Sequence, residues 1–190
     1  MKAIVVLFIT GAVLGTLGDW THVISNVVGY PNSFMLIPVT QQAFWVPLLF
    51  GSAGVAIALS HAKVDQWLKV QRPKKTWLEI ALGIIALLLL YGISGFLNFE
   101  QAQLRNLLLM TAAVSIWFAF DRSKSGLLFA LLTAAVGVTV EATLVHLGAF
   151  YYGSHVIDFL GFPFWIVWLY VAASVAVGNL GRKLLSENAG

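Results

Sequence analysis

Six stretches of the chain are apolar over about the 20 residues that a helix needs to cross a bilayer: residues 3–24, 39–59, 77–97, 104–120, 127–147 and 163–181. The sharpest break between them is Asp121-Arg122-Ser123-Lys124-Ser125-Gly126, set between an aromatic run ending at Phe120 and an apolar run starting at Leu127. Charges this dense between two hydrophobic segments mark a membrane surface, because a charge at the bilayer centre is costly. The chain leaves the lipid there, turns in about six residues and re-enters. The pattern predicts an all-α polytopic membrane protein, a six-transmembrane-helix bundle forming one domain over residues 1–190. The last four helices are joined by short connections and should be antiparallel neighbours.

Basic residues then set the expected orientation. With six helices, Lys2, Lys63, Lys69, Arg72, Lys74, Lys75, Arg122, Lys124, Arg182 and Lys183 fall on one side, and Arg105 on the other. Both termini are therefore expected in the cytoplasm. The basic loop His61–Thr76 reads first as a topology determinant, with contact to anionic lipid as the alternative.

Composition agrees: 59% of residues are hydrophobic and 10% charged, where a soluble domain carries roughly a quarter charged. A net charge of +3 spread in this way is no nucleic-acid signal. With no cysteine there are no disulfides, thiol catalysis or thiolate metal sites. Residues 1–18 have the look of a signal peptide, but no A-x-A site follows, and Gly11-x-x-x-Gly15 suits a retained, packed helix. Pro47 is expected to kink helix two. Most tryptophans lie toward helix ends, where interfacial anchors belong.

Against this background, the ionisable residues inside the apolar runs are candidates for function. Asp19 and His22 are three apart and share a face of helix one. Glu141 reaches a similar depth on helix five; His146, five residues on, points roughly 140° away from it. Gln41, Gln42 and Asn98 fall at the same end. Thr111 and Ser115 share a face of helix four, and Phe96 closes the small-residue segment Gly92–Asn98 of helix three. Three readings stay open. The polar groups satisfy one another; or they form the hydrophilic rim of a cavity for a lipid tail; or Asp19, His22, Glu141 and His146 make a metal or acid–base centre, although no H-E-x-x-H spacing is present.

Three motifs carry a family resemblance: Phe44-Trp45-Val46-Pro47, Phe120-Asp121-Arg122-Ser123-Lys124-Ser125-Gly126 and Val177-Gly178-Asn179-Leu180-Gly181-Arg182. In this order and on these elements they resemble the Insig (insulin-induced gene) family, with a weaker likeness from about Val5 to Leu184. The resemblance implies a six-helix membrane protein that binds a lipid within its bundle. Eukaryotic members are sterol sensors of the endoplasmic reticulum that bind oxysterols, hold the escort protein Scap and direct a sterol-synthesis reductase to degradation. The aspartate of the second motif, here Asp121, is the position tied to partner binding; a cap or an ion pair with Arg122 is its plainer reading. The chain lacks the family's cysteines and extended tails, and looks like a prokaryotic homologue.

The expectation is a non-enzymatic lipid-binding protein with no metal and no cofactor beyond a bound lipid. A diacylglycerol- or sterol-like molecule would place its tail among helices one, three, four and five. Its head would lie near Asp19, His22, Asn98 and Glu141, with Gln42, Phe96, Thr111 and Ser115 also contributing. Asp121 and the Gly11/Gly15 face would serve another membrane protein or self-association. The membrane would be the cell inner membrane in a prokaryote and the endoplasmic reticulum in a eukaryote. The alternative is a membrane enzyme acting on a lipid through the Asp/His/Glu group.

Overall fold

Side-chain caps fix the starts of two of the helices. The computed structural model describes residues 1–31, 35–70, 72–97 and 101–187. Among these, six helices occur: α1 (Lys2–Ile24), α2 (Val46–Trp67), α3 (Trp77–Phe96), α4 (Ala102–Phe120), α5 (Lys124–His146) and α6 (Ile166–Glu187). Thr76 and Glu79 form a reciprocal capping box at the start of α3. Ser123 accepts a bond from the Gly126 amide and caps α5. The polar turn between α4 and α5 is thus tighter than the six-residue block suggests.

Pro47 does not kink α2. It stands in the first turn of the helix, where its missing N–H would be unpaired in any case. Residues 39–45, expected to be helical, instead form a turn and a bridge between Leu36 and Ala43, with Gln41 in the left-handed region at φ 57°. α6 likewise starts at Ile166 rather than at 163, and α2 continues into the basic loop as far as Trp67.

α6 is the axis of the bundle and packs against each of the other five helices. Small residues permit this: a Cβ on Gly178 would lie 2.7 Å from the His61 ring, and one on Gly181 would lie 2.8 Å from the Ala58 Cα. α1 and α2 pack through glycines too, since a Cβ on Gly11 would meet the Phe50 carbonyl at 2.7 Å and the Gly54 Cα at 3.3 Å. The Gly11/Gly15 face, expected to await a partner, is therefore occupied by α2 of the same chain. Helices α1 to α5 are long and apolar enough to cross a membrane, and their outer faces are studded with exposed leucine, isoleucine and valine.

The end of the bundle away from Lys2 is closed by two connections. Strands β1 (Val28–Gly29) and β2 (Tyr151–Tyr152) pair antiparallel across them, Val28 opposite Tyr152. Arg105, the cation outside the charge pattern, is a buried anchor for the second connection. It donates from Nη2 to the Val156 carbonyl at 3.1 Å, and Asp158 lies 3.6 Å away.

Candidate functional site

Between the helices lies a cavity of about 640 Å³, inside the roughly 300–1,000 Å³ range of small-ligand sites. Its walls come from α1, α2, α3, α5 and α6, through residues such as Leu14, Ala53, Leu87, Val136 and Ala173. No residue of α4 lines it, which corrects the expected placement of a tail beside that helix. α2 and α5 touch over a short stretch, where the His61 and Phe129 rings stand 4.3 Å apart. The body of the cavity is hydrocarbon.

Its polar end sits beneath the paired connections. Asp19 Oδ2 accepts from the Tyr30 hydroxyl at 2.7 Å and from Gln42 Nε2 at 2.6 Å. Glu141 Oε1 accepts from the Tyr170 hydroxyl at 2.7 Å, and Oε2 from the Tyr152 hydroxyl. Burial, reinforced by the negative charges of Asp19 and Glu141, pushes the Tyr30 and Tyr152 phenols well up from their usual range. Both stay protonated and able to donate. Two carboxylates held by phenols and an amide thus face the same hollow, and Asp19, His22, Tyr30, Tyr91, Glu141 and Tyr152 all line it.

The remaining candidates separate. His22 also packs between the Tyr91 and Trp165 rings. Ser94 gives its proton to the Tyr91 carbonyl, so His22 Nε2 donates to Ser94 Oγ at 2.8 Å. Gln42 is fully buried and reaches Asp19 from behind, also bonding the Thr16 carbonyl at 3.0 Å. Thr111 and Ser115 lie on the exposed face of α4, each donating to the carbonyl four residues back. Phe96 is exposed at the end of α3 and does not line the cavity. Asn98 lies outside the described residues. His146 is exposed, and among the described residues no group of three histidine or carboxylate side chains could hold a metal ion. The four residues offered for a metal or acid–base centre are not gathered into one. Sequence reasoning missed the three tyrosines: Tyr30 and Tyr152 come from connections and Tyr170 from α6, and no spacing links them.

At the basic end, the second and third motifs meet. Asp121 has a fully buried side chain and pairs not with Arg122 but with Arg72 at 2.8 Å and Arg182 at 3.4 Å. Those two arginines also share Asp65, at 2.8 and 2.6 Å, so the four charges close into an alternating ring. Burial pulls the Arg72 guanidinium down, but its bonds to Asp65 and the charge of Asp121 outweigh this and hold it up. Arg122 turns away to lie over the Phe118 ring at 4.6 Å. Asn179 donates to the Phe120 carbonyl at 3.0 Å, fastening α6 to the same turn.

The model of the insulin-induced protein (INSIG) family matches residues 2–185 of this chain. The chain belongs to the Insig family. Insig relatives similar to it include the insulin-induced gene 1 protein of Danio rerio, 30% identical over 94% of this chain and 70% of that one. The Homo sapiens insulin-induced gene 1 protein is 28% identical over 94% of this chain and 64% of its own length. A crystal structure of a mycobacterial Insig homologue, MvINS from Mycobacterium vanbaalenii, superposes with a TM-score of 0.86 at 26% identity, covering 98% of this chain and 95% of that one. A cross-linked trimer of MvINS gives the same score at 25% identity and the same coverage. Insig membership makes the chain a membrane protein of a family of regulatory sensors rather than enzymes. The second and third motifs supply Asp121 and Arg182 to the ion-pair ring, and Gly178 and Gly181 to the α2–α6 contact, while Asp19, Gln42 and Glu141 lie outside the motifs.

Proposed function

We propose that the chain binds one amphipathic lipid, its tail in the hollow between α1, α2, α3, α5 and α6 and its head at Asp19 and Glu141. The observation that carries this reading is the pair of carboxylates, Asp19 buried and Glu141 partly buried, at the polar end of an otherwise apolar cavity. The Tyr30, Gln42, Tyr152 and Tyr170 donors are already turned onto those carboxylates. The lone pairs left over are acceptors, so the head must donate hydrogen bonds. A hydroxyl of a diacylglycerol- or sterol-like lipid fits, and a phosphate or carboxylate head is repelled. Because the tail leaves one hydrocarbon surrounding for another, selectivity resides in the head and in cavity shape.

All six helices span the membrane in this reading, with both termini cytoplasmic. Ten of the eleven lysines and arginines then lie at the cytoplasmic end. Asp121 is buried in the ring, so it serves a partner membrane protein, or a second copy of this chain, by holding the shape of the α4–α5 turn. The membrane is the inner membrane in a prokaryote and the endoplasmic reticulum in a eukaryote. Lipid sensing is thereby joined to regulation of a partner.

Native mass spectrometry of protein purified in mild detergent tests the reading. The parent chain is expected to retain a neutral, hydroxyl-bearing lipid. Glu141→Gln should weaken retention roughly tenfold or more, the usual consequence of losing a hydrogen bond to a charged group. A parent with no retained lipid, or equal retention by Glu141→Gln and by Asp19→Asn combined with it, would overturn the proposal.

A further inference from the structure

A second hollow, about 560 Å³, opens at the basic end beside the ion-pair ring. Five of its lining side chains are cationic (Arg72, Lys74, Lys75, Arg182 and Lys183), and three are anionic (Asp65, Asp121 and Glu187). The ring accounts internally for two of each sign, since Arg72 and Arg182 are committed to Asp65 and Asp121. What remains is three lysines against Glu187. Lys74 has no carboxylate partner among the described residues. Among the described residues, the carboxylate partners of Lys75 and Lys183 are neighbours four residues away, Glu79 and Glu187, in surface pairs that are individually weak. Ser123, Ser186 and Asn179 add polar groups to the same wall.

The hollow also borders the lipid-facing surface. Lys183 Nζ lies 5.5 Å over the ring of Trp77, and Trp77 opens α3 half-exposed, followed on the outer face by the exposed Leu78, Leu82 and Leu89. A molecule with an anionic head among the lysines therefore has an apolar ridge beside it for a tail. Tryptophan and lysine together at one helix end also mark the headgroup level of a bilayer.

We infer that this hollow is a binding site for the phosphate of an anionic phospholipid, held by Lys74, Lys75 and Lys183 with its tail along α3. The site is separate from the cavity of Asp19 and Glu141 and takes the opposite head chemistry: cations for a phosphate here, acceptors for a hydroxyl there. Basic pockets between membrane helices are suited to such heads because the lysines act near the surface, where a phosphate keeps part of its hydration.

Purified protein titrated with phosphatidylglycerol and, in parallel, with phosphatidylcholine of the same chains, with bound lipid counted by native mass spectrometry, tests the inference. Phosphatidylglycerol is expected to bind at roughly tenfold lower concentration or better, the effect of a few lysines on an anionic lipid. The combined variant Lys74→Gln, Lys75→Gln, Lys183→Gln should lose that preference, and the corresponding triple arginine variant should keep it. Glu141→Gln, which alters the other cavity, should leave it intact, so the two proposals fail separately. Equal binding of the two lipids, a preserved preference in the glutamine variant, or competition by glycerol phosphate at the same concentration as the lipid would overturn the assignment, the last by showing that the site reads free phosphate.

Discussion

Asp121→Ala is expected to lower the stability of the folded bundle by about 3–5 kcal/mol, the usual result of removing one partner from a buried ion pair. Its carboxylate is fully buried between Arg72 and Arg182. Without it the two guanidiniums compete for Asp65 alone, and the Ser123 amide loses its 3.0 Å acceptor. Arg122→Ala is the informative control. Arg122 gives up a cation–π contact with Phe118 and a bond to the Phe118 carbonyl, and an exposed cation–π contact is worth about 0.5–1 kcal/mol. Thermal unfolding in detergent separates the two substitutions. Equal, small losses would show that the ring is not a structural fastening.

The second large effect is expected at Gly178, where leucine should cost about 1–3 kcal/mol or more through overpacking. Its Cβ would arrive 2.7 Å from His61 Cδ2 and Nε2, and that ring cannot step aside. Arg182 Nη2 donates to Nδ1 at 2.6 Å, so Nε2 carries the proton and donates to Ser174 Oγ at 2.9 Å. Ser174 in turn meets Thr133 Oγ1 at 3.1 Å on the wall of the apolar cavity. The strain therefore falls on the α2–α6 contact and on this chain of bonds together. Gly92→Ala provides the opposite sign. Nothing lies within 4 Å of its Cβ position, and replacing a helix-interior glycine is expected to stabilise by about 0.5–1 kcal/mol. Unfolding midpoints that moved the same way for both would contradict the packing described.

What was legible in the sequence, and what was not, divides along physical lines. The number of helices and most of their approximate ends follow from the runs of apolar residues, whereas the Thr76 and Ser123 caps and the place of Pro47 in the first turn of α2 emerge from the structure. The start of α2 was misplaced because Val39, Ala43, Phe44 and Trp45 extend its apolar run, yet residues 39–45 cover the end of the bundle as a turn and a bridge. Hydropathy measures burial in grease, not backbone conformation. Asp19 and Glu141 could be singled out because a carboxylate in a hydrophobic run is rare, whatever surrounds it. Periodicity placed Thr111 and Ser115 on one face but not which way that face looks. Both satisfy their hydroxyls on their own helix and so tolerate lipid. The partners of Asp121 stand 49 and 61 residues away in sequence, beyond the reach of any local pattern. The family motifs pointed at that position without revealing that it is occupied from within.

α6 carries a further consequence for how the protein is made. It touches all five other helices, it is the last of them to leave the ribosome, and among the described residues it is not one of the helices long and apolar enough to cross a membrane. If the helices span as proposed, α1 to α5 are made before the helix that fills the centre between them. The polar groups of α6 are met by those earlier helices and the α4–α5 turn: Ser174 by His61, Asn179 by the Phe120 carbonyl and Arg182 by Asp65.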